Sequence, residues 1–91
     1  MVAEQAGWCR MKSYRVDTSD ITVGSVWIEK GTDGSGWAHG APQKRMVVGF
    51  RHGIFDVEVV SVAYVGNRKG TYEFGMYAFV WKANWRKEKN V

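Results

Sequence analysis

Apolar positions along this chain recur mostly at a period of two. From Ile21 to Lys30 the run ITVGSVWIEK is β-branched and alternates at its end, with Val26 and Ile28 on one face and Trp27 and Glu29 on the other. That pattern predicts a strand. Lys44 to Arg51 alternates again with Met46, Val48 and Phe50 sharing a face, and His52-Gly53 then supplies a tight turn, so a hairpin is expected. In the returning run IFDVEVVSVAYV, Phe55, Val57 and Val59 lie on one face and Asp56 and Glu58 on the other, but Val60, Val62 and Tyr64 carry the bulk on the opposite parity. A bulge near Val59 and Val60 would reconcile the halves. After a turn at Gly66-Asn67-Arg68-Lys69-Gly70, the run TYEFGMY places Tyr72, Phe74 and Met76 on one face of a fourth strand. The expected core is Val26, Ile28, Met46, Val48, Val57, Val62, Tyr72 and Phe74.

The segments between and beyond these strands are less regular. Residues 1–20 follow no clean period and end in the turn formers Asp17, Thr18, Ser19 and Asp20, which predicts a flexible start with a short strand at 13–16 and a folded domain over 21–91. Residues 31–43 hold four glycines and the only proline, Pro42, and read as a long loop with Trp37 at its centre. In AFVWKANWRKEKNV, Tyr77, Trp81 and Trp85 recur every four residues as on a helix, whereas Phe79-Val80-Trp81 suits a strand. A short helix and a final strand pairing with the first are both compatible with it. The fold class that follows is all-β or β-rich: a small barrel of four to six antiparallel strands, with room for a short C-terminal helix.

Composition narrows the function classes. In 91 residues only about 60 to 65% of the unfolded surface can be buried, which leaves little core for a deep catalytic cavity. Cys9 is the single cysteine and makes no internal disulfide. Together with His39 and His52 it falls short of a four-ligand zinc site. No nucleophile, base and electrophile converge, so the chain is not read as an enzyme, and no cofactor is expected. The glycines at 31–36 lack the Lys-Ser/Thr that completes a phosphate-binding loop. Asp56 and Glu58, next to Arg51, read as a solvated face rather than an acid–base pair. No apolar run reaches a membrane span and no signal-peptide core is evident, so a cytoplasmic setting is expected.

Charge and rings carry what remains. Residues 16–81 come to a net of −1, and the positive charge that makes +4 in all lies at the ends, a net of +2 from Arg10, Lys12 and Arg15 against Glu4 and of +3 from Lys82, Arg86, Lys87 and Lys89 against Glu88. These form either one basic patch or a pair of solvated tails. Five tryptophans are more than so small a core easily takes in with its indole N–H groups satisfied. Trp27 faces away from the expected core, Trp37 sits on the glycine-rich loop beside His39, and Trp85 is followed by Arg86 and Lys87. The expected binding residues are therefore Trp27, Trp37, His39, Lys82, Trp85, Arg86 and Lys87, with Trp81 assigned to the core.

The order Gly24-Ser25-Val26-Trp27, a loop, Met46-Val47-Val48 in a hairpin, then Tyr72-Glu73-Phe74 before an aromatic and basic tail resembles the small SH3-like β-barrel accessory proteins of bacteriophages, which often open with a Gly-x-Val-Trp strand. The likeness covers about residues 21–80 and departs from the pattern in the long glycine loop and the tryptophan-rich tail. It implies a non-catalytic phage protein in the host cytoplasm that acts on a host protein, such as a defence or transcription component, or on nucleic acid. A host protein is the favoured partner, and a strand edge or aromatic patch leaves a homodimer open. No small-molecule substrate is evident.

Overall fold

The computed structural model describes residues 12–89, and Trp8 and Cys9 lie outside them. Eight strands and one helix follow in chain order: β1 (Val26–Glu29), β2 (Trp37–Ala38), β3 (Ala41–Pro42), β4 (Lys44–His52), β5 (Val57–Val65), β6 (Arg68–Lys69), β7 (Phe74–Tyr77), α1 (Ala78–Asn84) and β8 (Trp85–Lys87). Six of the strands build one antiparallel sheet in the order β6-β5-β4-β1-β8, with β7 also paired to β5. The chain leaves β7 at one edge, turns through α1, and enters β8 at the other edge. The short helix thus carries the chain from one edge of the sheet to the other, giving a small β-rich domain.

The C-terminal ambiguity resolves into both alternatives, because α1 is followed at once by β8, which pairs with β1. So short a helix is marginal by itself. It is held by Ala78 and Trp81, both fully buried, while the Asn84 carbonyl accepts from Lys30 N and the Lys82 carbonyl from Lys30 Nζ.

The core is Ile21, Trp27, Val47, Val57, Val59, Ala78, Trp81 and Trp85, which corrects the expected strand parity. Directly paired residues share a face. Trp27 opposes Arg45, and Val47 opposes Ser61, so the Trp27–Arg45–Val47 phase faces the interior. Val26, Met46 and Val48, expected inside, are only half-buried, and Tyr72 and Phe74 are exposed; Ile28, Val57 and Val62 are buried as expected. The physical reason is that β5 is buried on both faces, Val57, Val59 and Ser61 on one and Val60 and Val62 on the other, so apolar alternation had no unique phase. The bulge lies on the partner strand: Val47 opposes Ser61 and Gly49 opposes Val60, leaving Val48 as the extra residue.

Residues 13–16 form a bend rather than a strand, docked by Asp56. Its Oδ2 accepts from Ser13 Oγ at 2.7 Å and its Oδ1 from Tyr14 N at 3.2 Å, and Val16 packs on the core. These bonds, Ser13 foremost, hold the Asp56 carboxyl below its ordinary value, with the nearby Arg15 charge adding to the effect. Asp56 is thus buried in the β4–β5 turn, and Glu58 is half-buried and paired with Arg51 Nε at 2.6 Å, so the two do not form the solvated face expected of them. No helix among the described residues is long and apolar enough to cross a membrane.

Candidate binding site

The segment 31–43 is an ordered projection. Trp37 pairs with Pro42 and Ala38 with Ala41 in a small hairpin, β2–β3. His39 and Gly40 form its tip with φ of 54° and 77°, the two successive left-handed residues of a type I′ turn. Its base is tied to the sheet by Gln43 N donating to the Gly36 carbonyl and Glu29 N to the Gln43 carbonyl. The hairpin leaves Trp37 58% exposed.

Under that hairpin lies a cavity of about 630 Å³ with almost wholly apolar walls. Its lining takes Trp37 and Pro42 from the hairpin, Tyr72, Phe74 and Met76 from β7 and the segment before it, and Trp85 from β8. Tyr72 and Phe74 meet edge to face at 5.3 Å, and both remain largely exposed. The space exists because the interior positions of β5 at this end carry small side chains, Ser61 and Ala63, where the other end carries Val57 and Val59.

Arg45 occupies the room those small residues leave. It is 7% exposed, on the interior face of β4 opposite Trp27 and Ala63, and it lines the cavity. Its Nε donates to Ser61 Oγ at 2.7 Å and its Nη2 to the Ser61 carbonyl at 3.0 Å, while the guanidinium lies 5.2 Å from the centre of the Phe74 ring. Among the described residues no carboxylate pairs with it. Burial pushes its guanidinium below its ordinary pKa, the expected effect of desolvating a cation.

The expected binding residues separate into three groups. Trp37 lines the cavity, and His39 is exposed at the tip of its hairpin. Trp85 also reaches the cavity, but as a buried wall 8% exposed and not as a surface ring, which corrects its assignment. Trp27 is corrected more fully: it is 2% exposed, its Nε1 donates to Ser25 Oγ at 2.9 Å, and its ring meets Trp81 edge-on at 5.7 Å. The basic residues lie away from the cavity lining. Lys82 Nζ holds both oxygens of Asp20 at 2.7 Å, Arg86 Nη2 donates to the Thr32 carbonyl, and Lys87 is exposed on β8.

Arg45, Tyr72 and Phe74 were missed as site residues. A signal existed in Lys44-Arg45 at the start of a strand, since one of two adjacent residues must face inward whichever phase is chosen. Among the described residues no group of three or more His, Cys, Asp or Glu side chains is placed to hold a metal ion. No family model, curated protein or solved structure matches the chain.

Proposed function

We propose that this protein is a non-catalytic binding module that takes an apolar side chain of a partner protein into the cavity between Trp37 and Phe74. The observation that carries the reading is an open, aromatic-walled cavity whose exposed rings, Trp37, Tyr72 and Phe74, have no packing duty comparable to that of the buried tryptophans. Large rings around a desolvated pocket are the usual anchors of protein interfaces. Extending the resemblance carried by the Gly24-Ser25-Val26-Trp27 opening, the module is read as a phage accessory protein acting in the host cytoplasm on a host defence or transcription component.

Nucleic acid is the competing partner, since exposed rings stack on bases. The apolar walls would leave the polar edges of a base unpaired, and Lys82 and Arg86 are engaged within the protein. The test captures a partner from bacterial lysate after nuclease treatment and measures its affinity for wild type, Trp37→Ala and Tyr72→Ala across a salt series. Loss of affinity in both variants with a shallow salt dependence supports protein recognition. A slope of several log units of affinity per log unit of salt would assign the site to nucleic acid.

A further inference from the structure

The cavity has one charged group, and its setting restricts what can fill it. Arg45 is more than nine-tenths buried, fixed through Nε and Nη2 by Ser61 and faced by the Phe74 ring, and no carboxylate pairs with it among the described residues. A neutral hydroxyl, a carbonyl and a ring face offset part of the cost of desolvating a cation, but none brings an opposite charge. The guanidinium is therefore preorganised for an anion approaching from the cavity side.

Resting on the reading above, we infer that the cavity takes the apolar C-terminal residue of a partner protein, its side chain between Trp37 and Phe74 and its α-carboxylate on Arg45. The planar carboxylate matches the guanidinium fork and carries the single charge needed to balance it. A phosphate would bring more charge than one arginine balances and set its remaining oxygens among apolar walls. A terminal residue carries carboxylate and apolar side chain on one Cα, so both reach a cavity of about 630 Å³ without a chain that must also leave it. An internal Asp or Glu would have to draw its apolar neighbour and both flanking peptide strands past Trp37 and Tyr72.

The experiment uses the full chain and pools of six-residue peptides ending in Leu or Phe behind randomised positions, made with a free α-carboxylate or as amides. Binding is followed by tryptophan fluorescence and calorimetry. The free acids should bind about tenfold or more tightly than the amides, the scale of a charge-assisted contact out of water. Arg45→Met, close in volume, should bring acid and amide within about twofold, with circular dichroism confirming its fold; the acid–amide comparison on wild type stands whether or not that variant folds. Equal binding of acid and amide overturns the inference and leaves an apolar pocket in place. Amidated peptides with an internal Glu binding as well as the free acids overturn it in favour of a side-chain carboxylate. If no pool binds while Trp37→Ala still weakens the captured partner, the inference fails and the reading of the site survives; if Trp37→Ala has no effect on that partner either, both fail.

Discussion

The rings of Trp81 and Trp85 lie stacked, with centroids 5.2 Å apart and planes 14° from parallel. One belongs to the last helical turns and the other to the first residue of β8, so a single pair of side chains fixes how the chain passes from helix to strand. Trp81 also meets Trp27 edge-on, which makes a continuous run of rings from β1 to the cavity wall. Trp81→Ala and Trp85→Ala should each cost about 3 to 5 kcal/mol, as removal of a buried aromatic does. Against a total of about 5 to 15 kcal/mol for a small domain, that loss is large. Chemical denaturation of both variants measures it, and midpoints close to wild type would contradict the packing described.

Trp81→Phe is a milder change for a specific reason. The Trp81 Nε1–H is buried without an acceptor among the described residues, and an unpaired buried donor costs about 1 to 3 kcal/mol. Phenylalanine gives up contact area but also removes that donor. The variant should therefore lose far less stability than Trp81→Ala, and the difference between the two denaturation midpoints reads it directly.

Trp37 and Tyr72 should behave in the opposite way to the buried tryptophans. Their rings are 58% and 74% exposed, so Trp37→Ala and Tyr72→Ala should shift stability by less than about 1 kcal/mol while weakening partner binding by about 2 kcal/mol or more. Thermal midpoints and affinities measured on the same samples separate the outcomes. Early melting would reassign the rings to folding, and full binding would move the site elsewhere.

These contrasts mark what was legible in the sequence. Strand-rich class, antiparallel hairpins and the Gly66-Asn67 start of the turn follow from local pattern, because turn residues and a period of two act over a few neighbours, whereas Arg68–Lys69 form a strand inside the expected turn and the C-terminal segment left helix and strand pairing with β1 equally open. Phase was not legible at β1 and β4. Trp27 and Val47 face inward, and Val26 and Val48 are half-buried on the other side, so both parities look apolar. The site was half legible: Trp37 stood out as a large ring in a glycine-rich segment, whereas Arg45 reads as an ordinary strand-surface cation until the small Ser61 and Ala63 across the ladder show that it has space inside.

Acid should loosen the docking of residues 13–16. Because the Asp56 carboxyl titrates below its ordinary value of about 4 when folded, its contribution to stability is fully present above that value and is lost as pH falls through the depressed folded value. Stability measured from pH 5 down to pH 2 should fall for wild type, and the slope should be shallower for Asp56→Asn. Equal slopes would show that the Ser13 and Tyr14 bonds do not distinguish the charged carboxylate.

Two glycines should respond differently to alanine. A Cβ at Gly53 would come within 2.6 Å of the Asp56 carbonyl, a backbone atom in the same turn, and 2.7 Å of the Tyr77 ring. At Gly75 it would meet the Arg51 guanidinium and the Glu58 carboxylate, the movable ends of two side chains. Gly75→Ala should therefore cost no more than the exposed ion pair it displaces, about 1 kcal/mol or less, while Gly53→Ala should cost about 1 to 3 kcal/mol because the turn itself must shift. Paired melting curves for the two variants decide it.

The placement of β8 beside β1 also sets when this domain can fold. Ile28 opposes Arg86 and Glu29 opposes Trp85, so the first strand of the sheet gains its second neighbour only from the end of the described chain. During synthesis the β4–β5 hairpin can close as soon as it leaves the ribosome, but β1 waits with one edge unpaired and Trp27 without its Trp81 partner. Contacts of such long sequence separation slow the final step, and an open edge is a point of mispairing until then. A nascent chain stalled before Trp81 should be degraded readily by protease, and one extended past Lys87 should resist it.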